Sequence, residues 1–292
     1  MITLDDLEAY AMRGWRMFPV FKVRDGRCVC RDGAACDAPG KHPMTYNGVN
    51  AATIDPMQIG QWFYRYPGCN WAVATGEMSG IWVLDIDTHS HNGVVNMTDW
   101  LIENRLYMPQ TLAVSTGGGG WHYYFRMDGP MKNRTGVLPG VDVRGTGGYV
   151  LLPGSNHLSG HDYRVAREHP VAYAPKGLID FLRTAGSSGG RGGGVARHGG
   201  GVRPLAHYLA NGFTPGNRDN ECYDLACSLW RTHFNDPDFV EAAIADCWRA
   251  TFQGDSPFPW SQASRKITEA FKFISKQMEA ENAFLLTMGD SR

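Results

Sequence analysis

Asp85 and Asp87 stand two residues apart and close an apolar run, Ile81-Trp82-Val83-Leu84. Strand side chains alternate, so both carboxylates point to one face and Ile86 to the other. Two like charges held side by side are costly unless something compensates them. A divalent cation does so readily, because hard cations prefer oxygen ligands. Two solvent-facing aspartates at a strand end fit the same spacing, so a metal site needs further parts. Asp142-Val143-Arg144 offers a third carboxylate. Asp142 and Arg144 again share a face, and Arg144 can hold Asp142 or reach a phosphate with two nitrogens. A surface ion pair beside a turn is the plain alternative there.

Between these lies Ser115-Thr116-Gly117-Gly118-Gly119-Gly120-Trp121-His122. Glycines expose backbone N–H groups and admit close approach, which suits phosphate oxygens; Gly118 and Gly119 are the central pair. Ser115 and Thr116 add hydroxyls, and His122 can donate to a phosphate or move a proton. A flexible hairpin with a core histidine fits the stretch as well. It is not a dinucleotide fingerprint, since no helix follows. Taken together, Asp85, Asp87 and Asp142 can hold two divalent ions, the arrangement that serves in-line displacement at phosphorus.

A separate group is Cys28, Cys30, Cys36 and His42, within 15 residues of polar, glycine-rich chain. Three thiols and an imidazole form a Cys3His set for tetrahedral Zn2+, and the metal would order a loop with little core of its own. Gly40-Lys41-His42 is not a phosphate-binding P-loop, because His42 stands where Ser or Thr is required.

The elements that must position these groups follow from periodicity and punctuation. Helices are expected at 3–13, with Thr3 as cap, and at 57–66 and 93–105. Strands are expected at 15–23, 70–75, 80–87, 111–116, 121–127, 141–144, 148–153 and 162–166, with a loop over 24–50. The mixture predicts an α+β domain with a largely antiparallel sheet over residues 1–185. The glycine-rich run at 186–202 reads as a linker. Helical patterns at 203–211, 219–234, 237–252 and 261–283 predict a small all-α domain over 203–292.

The 292 residues carry a formal net charge of -1, so no global basic field advertises a nucleic-acid partner; a local groove would suffice. The sequence lacks a signal-peptide pattern and an apolar run of membrane-spanning length, and the odd count of 7 cysteines argues against a disulfide framework. A reducing cytoplasm is the expected location.

These motifs resemble the archaeo-eukaryotic primase superfamily, specifically its phage and plasmid primase-polymerase domains. The resemblance rests on Asp85-Ile86-Asp87, then Ser115 through Gly119-Gly120-Trp121-His122, then Asp142-Val143-Arg144 with Gly147-Gly148-Tyr149-Val150-Leu151-Leu152-Pro153, in that family's order. Gly40-Lys41-His42-Pro43 and Asn70 through Gly76 are similar to its phage members, and the likeness spans roughly residues 5–182. It implies an RRM-like catalytic domain packed with a second α/β unit and bearing a zinc-binding loop at about 24–50. Asp85, Asp87 and Asp142 would bind two Mg2+ or Mn2+ ions. His122, with Ser115, Thr116, Gly118, Gly119 and Arg144, would bind the incoming nucleotide. The implied reaction is template-directed nucleotidyl transfer from NTPs or dNTPs on single-stranded DNA, as primer synthesis, extension or both. A metal-dependent nuclease and a non-catalytic zinc-containing DNA-binding module are the competing readings. The C-terminal part resembles the helical domain that follows such catalytic domains, through Gly216-Asn217-Arg218-Asp219-Asn220 and Leu225-Ala226. Its cations Arg218, Arg231, Arg249, Arg265, Lys266, Lys272 and Lys276, and Trp230, Trp248 or Trp260, are candidates for DNA contact or for ordinary surface and core. No Walker motif is present, so a helicase would be a separate chain. A phage- or plasmid-borne member would work in a bacterial host's cytoplasm.

Overall fold

A computed structural model describes residues 1–88, 92–185, 202–233, 236–254 and 257–289, with side chains as far as 278. In chain order its elements are α1 (Leu4–Met12), β1 (Met17–Val20), β2 (Val23–Arg24), β3 (Arg27–Cys28), α2 (Pro56–Arg65), β4 (Asn70–Ala74), β5 (Ile81–Ile86), α3 (Gly93–Glu103), β6 (Ala113–Ser115), β7 (Trp121–Arg126), β8 (Arg134–Leu138), β9 (Val141–Arg144), β10 (Tyr149–Leu151), β11 (Arg164–Arg167), α4 (Lys176–Thr184), α5 (Leu205–Asn211), α6 (Arg218–Thr232), α7 (Pro237–Ala250) and α8 (Trp260–Gly289). Two short 3-10 turns at Gly33–Ala35 and Gly48–Ala51 complete the cysteine-rich segment. The architecture is mixed α+β with a helical C-terminal region, as the sequence pattern predicts.

Local chemistry sets the boundaries. Thr3 accepts from the Asp6 N–H at 3.2 Å while Asp6 accepts from the Thr3 N–H at 2.8 Å, a reciprocal cap on α1. Asp55 caps α2 and Asp236 caps α7, each with proline following. Two elements have weak sequence signals. β8 is an edge strand with a single buried residue, Val137, so it lacks an alternating pattern. α4 buries Leu178, Ile179 and Leu182 from a nine-residue stretch too short for periodicity to stand out. The expected loop at 24–50 also holds the β2–β3 hairpin. The predicted linker lies outside the described residues except for Val202.

Contacts divide the chain into two compact units, Met1–Val94 with Pro109–Gly189, and Val95–Met108 with Gly190–Arg292. In the first, a six-stranded sheet of order β11-β6-β7-β5-β9-β8 faces a three-stranded sheet of order β1-β4-β10, with antiparallel pairing throughout. One cluster joins them: Ile81, Val83, Val114 and Tyr124 from the large sheet meet Phe18, Val20, Trp71, Val73 and Val150 from the small one. Each large apolar side chain buried there contributes about 1.5–3 kcal/mol. β5 and β4 read as unbroken apolar runs because both their faces are covered.

The second unit is helical around Tyr208, Phe213, Leu225, Leu229, Ile244, Phe258 and Ile267, with Val95 and Ile102 of α3 packed on the same cluster. Thr98 bonds His233 at 2.7 Å, and Asp99 accepts from the Leu205 N–H at the start of α5. Trp230 is core, its indole donating to the Ile267 carbonyl at 3.0 Å, and Arg218 is buried against the Phe252 carbonyl. Trp248 similarly donates to Phe258 at 2.7 Å. Arg249, Arg265 and Lys266 pair with acids on the unit's surface.

Candidate active site

β5 is the strand on which the site is built. Its neighbours place Asp85 opposite His122 of β7 and opposite Asp142 of β9, so three polar residues lie in a row across three strands. The same face carries Ile81 and Val83 into the core. The two-sheet core thus passes along β5 into a polar cleft.

Arg144 closes the row. Its guanidinium donates twice to Asp85 Oδ2, at 2.9 and 3.1 Å, and to Asp142 Oδ2 at 2.8 Å. His122 Nε2 lies 3.4 Å from Asp85 Oδ1, so both oxygens of Asp85 face cationic or cation-capable groups. Burial pushes the Asp85 carboxyl up, but His122 and then Arg144 more than reverse this and hold it well below the carboxylate range. His122 is buried, and its Nδ1 has no hydrogen-bond partner among the described residues. A buried polar atom in that state is expensive and is a feature of sites that receive a ligand.

Asp87 follows the strand and is exposed, its N–H donating to the Gly140 carbonyl at 2.8 Å and its carbonyl accepting from Gly93 at 2.9 Å. The glycine stretch forms the β6–β7 hairpin. Thr116 and Gly120 bond through their backbones at 2.9 Å, and the Thr116 hydroxyl accepts the Gly120 N–H at 2.9 Å. Two of the glycines are obligatory on space. A Cβ on Gly120 would sit 2.3 Å from the Ile86 carbonyl oxygen, and one on Gly117 would sit 2.2 Å from His157 Cβ.

A cleft of about 330 Å³ opens here between the two sheets, a size suited to a small-molecule ligand. Asp85, Asp87, Thr116, Gly118, His122 and Arg144 all line it. Three other expected site residues sit differently. Asp142 lies opposite Asp85, but its carboxylate is turned to Arg144 and to the Gly136 N–H, 2.7 Å away. Gly119 occupies the hairpin tip at φ +86. Ser115 pairs with Trp121 on the opposite face, and its hydroxyl donates to the Arg164 carbonyl at 3.3 Å. The odd–even alternation that brings His122 into the cleft turns Ser115 away from it.

The cleft also recruits Lys41, Tyr149, His157 and Tyr163, which chemistry-bearing spacing did not single out. Tyr163 stands between His122 and His157, and burial with the Asp85 and Asp87 charges pushes its hydroxyl above the ordinary range. His157 and Tyr163 come from one turn, tied back to the hairpin by the Ser159 hydroxyl donating to Gly117 at 2.6 Å.

In the same unit the ligand atoms of Cys28, Cys30, Cys36 and His42 all lie within 4.8 Å of one another. His42 Nε2 is 3.3 Å from Cys28 Sγ and 3.5 Å from Cys36 Sγ. A zinc tetrahedron with ordinary Zn–S and Zn–N bonds has S···N edges of about 3.5 Å, so the set fits that ion. Burial raises the Cys30 thiol, but hydrogen bonds from Cys28 and from the Asp32 and Gly33 backbones outweigh it and lower its pKa. Cys36 is pushed up to about 11, mainly by burial. Backbone N–H groups aimed at sulfur favour the thiolate that a metal needs.

The first unit is thus a two-sheet α+β domain with an aspartate–histidine–arginine row and a glycine hairpin at one cleft. The chain belongs to the bifunctional DNA primase/polymerase family, whose N-terminal-domain model matches residues 7–177, more than half of the sequence. This is the family that the ordered motifs indicate, and membership makes nucleotides and DNA its substrates in general and nucleotidyl transfer its class of chemistry. No curated protein matches the chain in sequence. Among the described residues no helix is long and apolar enough to cross a membrane.

Proposed function

We propose that this protein is a primase-polymerase that carries out template-directed, two-metal nucleotidyl transfer on single-stranded DNA. The observation that carries the reading is the row His122–Asp85–Asp142, with Asp87 and the Thr116–Gly120 hairpin at the same cleft. Asp85, Asp87 and Asp142 would hold Mg2+ or Mn2+. The guanidinium across Asp85 and Asp142 supports the fit, because it meets the same demand for positive charge that a divalent ion would meet. When bound, such ions polarise the reacting phosphate and neutralise its developing charge.

The chain's own residues do the rest. Thr116, Gly118, Gly119, His122 and Arg144 bind and orient the triphosphate, and Ser115 anchors the hairpin from behind. The 3′-hydroxyl oxygen of the growing strand bonds to the α-phosphorus, its proton passing to solvent, as the bond from the α-phosphorus to the bridging oxygen breaks and pyrophosphate leaves. The Cys28–Cys30–Cys36–His42 cluster would hold a structural Zn2+.

Primer synthesis and primer extension on single-stranded DNA, with NTPs and dNTPs supplied separately and Mg2+ or Mn2+ present, test the proposal. Product is expected from wild type. Asp85→Ala and Asp87→Ala are each expected to lower it by at least about 100-fold, the scale on which a charge-stabilising group acts. Full activity in both variants, or no product from wild type, refutes it. Degradation of DNA without nucleotides would select the nuclease reading instead.

A further inference from the structure

Lys41 lies between two fixed points and lines the same cleft as Asp85, Asp87, His122 and Arg144. On its N-terminal side is Gly40, at φ +73, whose carbonyl accepts from the buried Asn70 amide at 3.0 Å. On its C-terminal side is His42, a member of the metal-competent cluster, with its ring stacked on Phe21 and its carbonyl accepting from the Phe21 N–H at 3.0 Å. The Lys41 carbonyl itself accepts from the Tyr149 hydroxyl at 2.9 Å, and Tyr149 is another wall of the cleft.

Two amides fasten this assembly. Asn70 donates to both Gly40 and the Asn156 carbonyl and accepts from the Asn156 N–H. Asn156 in turn bonds both backbone groups of Val23, at 3.0 and 2.7 Å, where the cysteine hairpin begins. The backbone at Lys41 is thus held on every side while its side chain stays exposed. Arg144 and His122 share their positive charge with acids of the cleft, Arg144 with Asp85 and Asp142 and His122 with Asp85. The described acids make no ion pair with Lys41.

We propose that the cysteine–histidine loop delivers Lys41 into the nucleotide cleft, where its ammonium binds phosphate oxygens of the incoming triphosphate. The loop is then part of the nucleotide site, and filling of the Cys28–Cys30–Cys36–His42 cluster sets nucleotide affinity through Lys41. The inference rests on the nucleotidyl-transfer reading above.

Equilibrium binding of NTPs and dNTPs to the full chain with Mg2+, inorganic triphosphate as competitor, and single-stranded DNA affinity in parallel test it. Lys41→Met is expected to weaken nucleotide and triphosphate binding about tenfold, as loss of a charge-assisted contact does, with DNA affinity within about twofold of wild type. Lys41→Arg should recover most of the loss. Stripping zinc and restoring Mg2+ should weaken wild-type nucleotide binding to a similar degree and leave Lys41→Met nearly unchanged. Lys41→Gln serves if the methionine variant loses its zinc or its circular-dichroism spectrum. Wild type that binds and incorporates nucleotide, beside a Lys41→Met of equal nucleotide affinity, overturns this inference and leaves the function standing. Loss of DNA affinity alone places Lys41 on the template and overturns it too. Equal weakening of both proteins by zinc removal overturns the link to the cluster. A wild type that binds no nucleotide removes the inference and the function together.

Discussion

Asp85 is a half-buried acid that the fold keeps ionised. Burial alone would raise its pKa, and His122 and Arg144 reverse that. Its folded pKa is therefore depressed below the unfolded value of about 3.9. The resulting stability is fully present above that value and is lost as pH falls below it toward the depressed folded pKa. The stability advantage of wild type over Asp85→Asn in urea denaturation is therefore expected to be greatest above about pH 5 and to shrink below about pH 4. A pH-independent difference would show that Asp85 pairs with neither His122 nor Arg144 in solution. Much of this residue chemistry is legible in the chain. Asp-x-Asp on a strand predicts shared faces, and Asp142-x-Arg144 predicts a carboxylate with its own counter-charge. The partner that Asp85 takes is not legible, since Arg144 also reaches across to β5, and only register decides that.

Strands and turns position the site with very little room. Gly120 ends the hairpin under the Ile86 carbonyl, where an added Cβ would lie at 2.3 Å from backbone oxygen. Gly120→Ala must push β7 from β5 at the level of Asp85 and His122. It is expected to cost about 1–3 kcal/mol of stability, as overpacking does, and to raise KM for nucleotide more than it lowers kcat. Gly119→Ala, at a tip with φ +86 and no backbone closer than ordinary contact, should leave more of the β5–β7 pairing intact, so a hydrogen-exchange comparison of the two separates crowding from strain. The glycine run announces a close approach in the sequence, but which glycines are obligatory depends on what lies opposite. His157 illustrates the limit further. It reaches the cleft through a turn fixed by Asn156 and Ser159, and no spacing from Asp85 or His122 encodes it.

At the level of the whole molecule, the chain enters its helical unit twice. Residues 95–108 group with 190–292, and Val95 and Ile102 pack on the α5–α8 core. A chain cut after Ala185 keeps 95–108 and loses those partners. Faster amide exchange over 95–108 and increased binding of an apolar dye are expected, relative to the full chain. Unchanged protection would show that α3 is held by other means. A reading along the sequence places α3 with its neighbours β5 and β6, because periodicity reports that a helix has an apolar stripe and not what covers it. Trp230 shows the same ambiguity: an aromatic at helical spacing suits a stacking platform or a core, and burial decides for the core.

The sequence by itself determined the class of domain, the order of the aspartate, glycine–histidine and aspartate–arginine motifs and the composition of the Cys3His cluster, because strand alternation, glycine geometry and ligand type are local properties. It determined the family for the same reason. Tertiary structure alone decided which of those residues meet. Pairing of β7, β5 and β9 aligns His122, Asp85 and Asp142 while turning Ser115 away. Two amides, Asn70 buried and Asn156 half-buried, bring Lys41 and His157 to the same cleft across gaps of 30 and 86 residues from Asn70 to Gly40 and Asn156. Contacts of that span depend on register and on what packs opposite, and neither is written in any single stretch of chain.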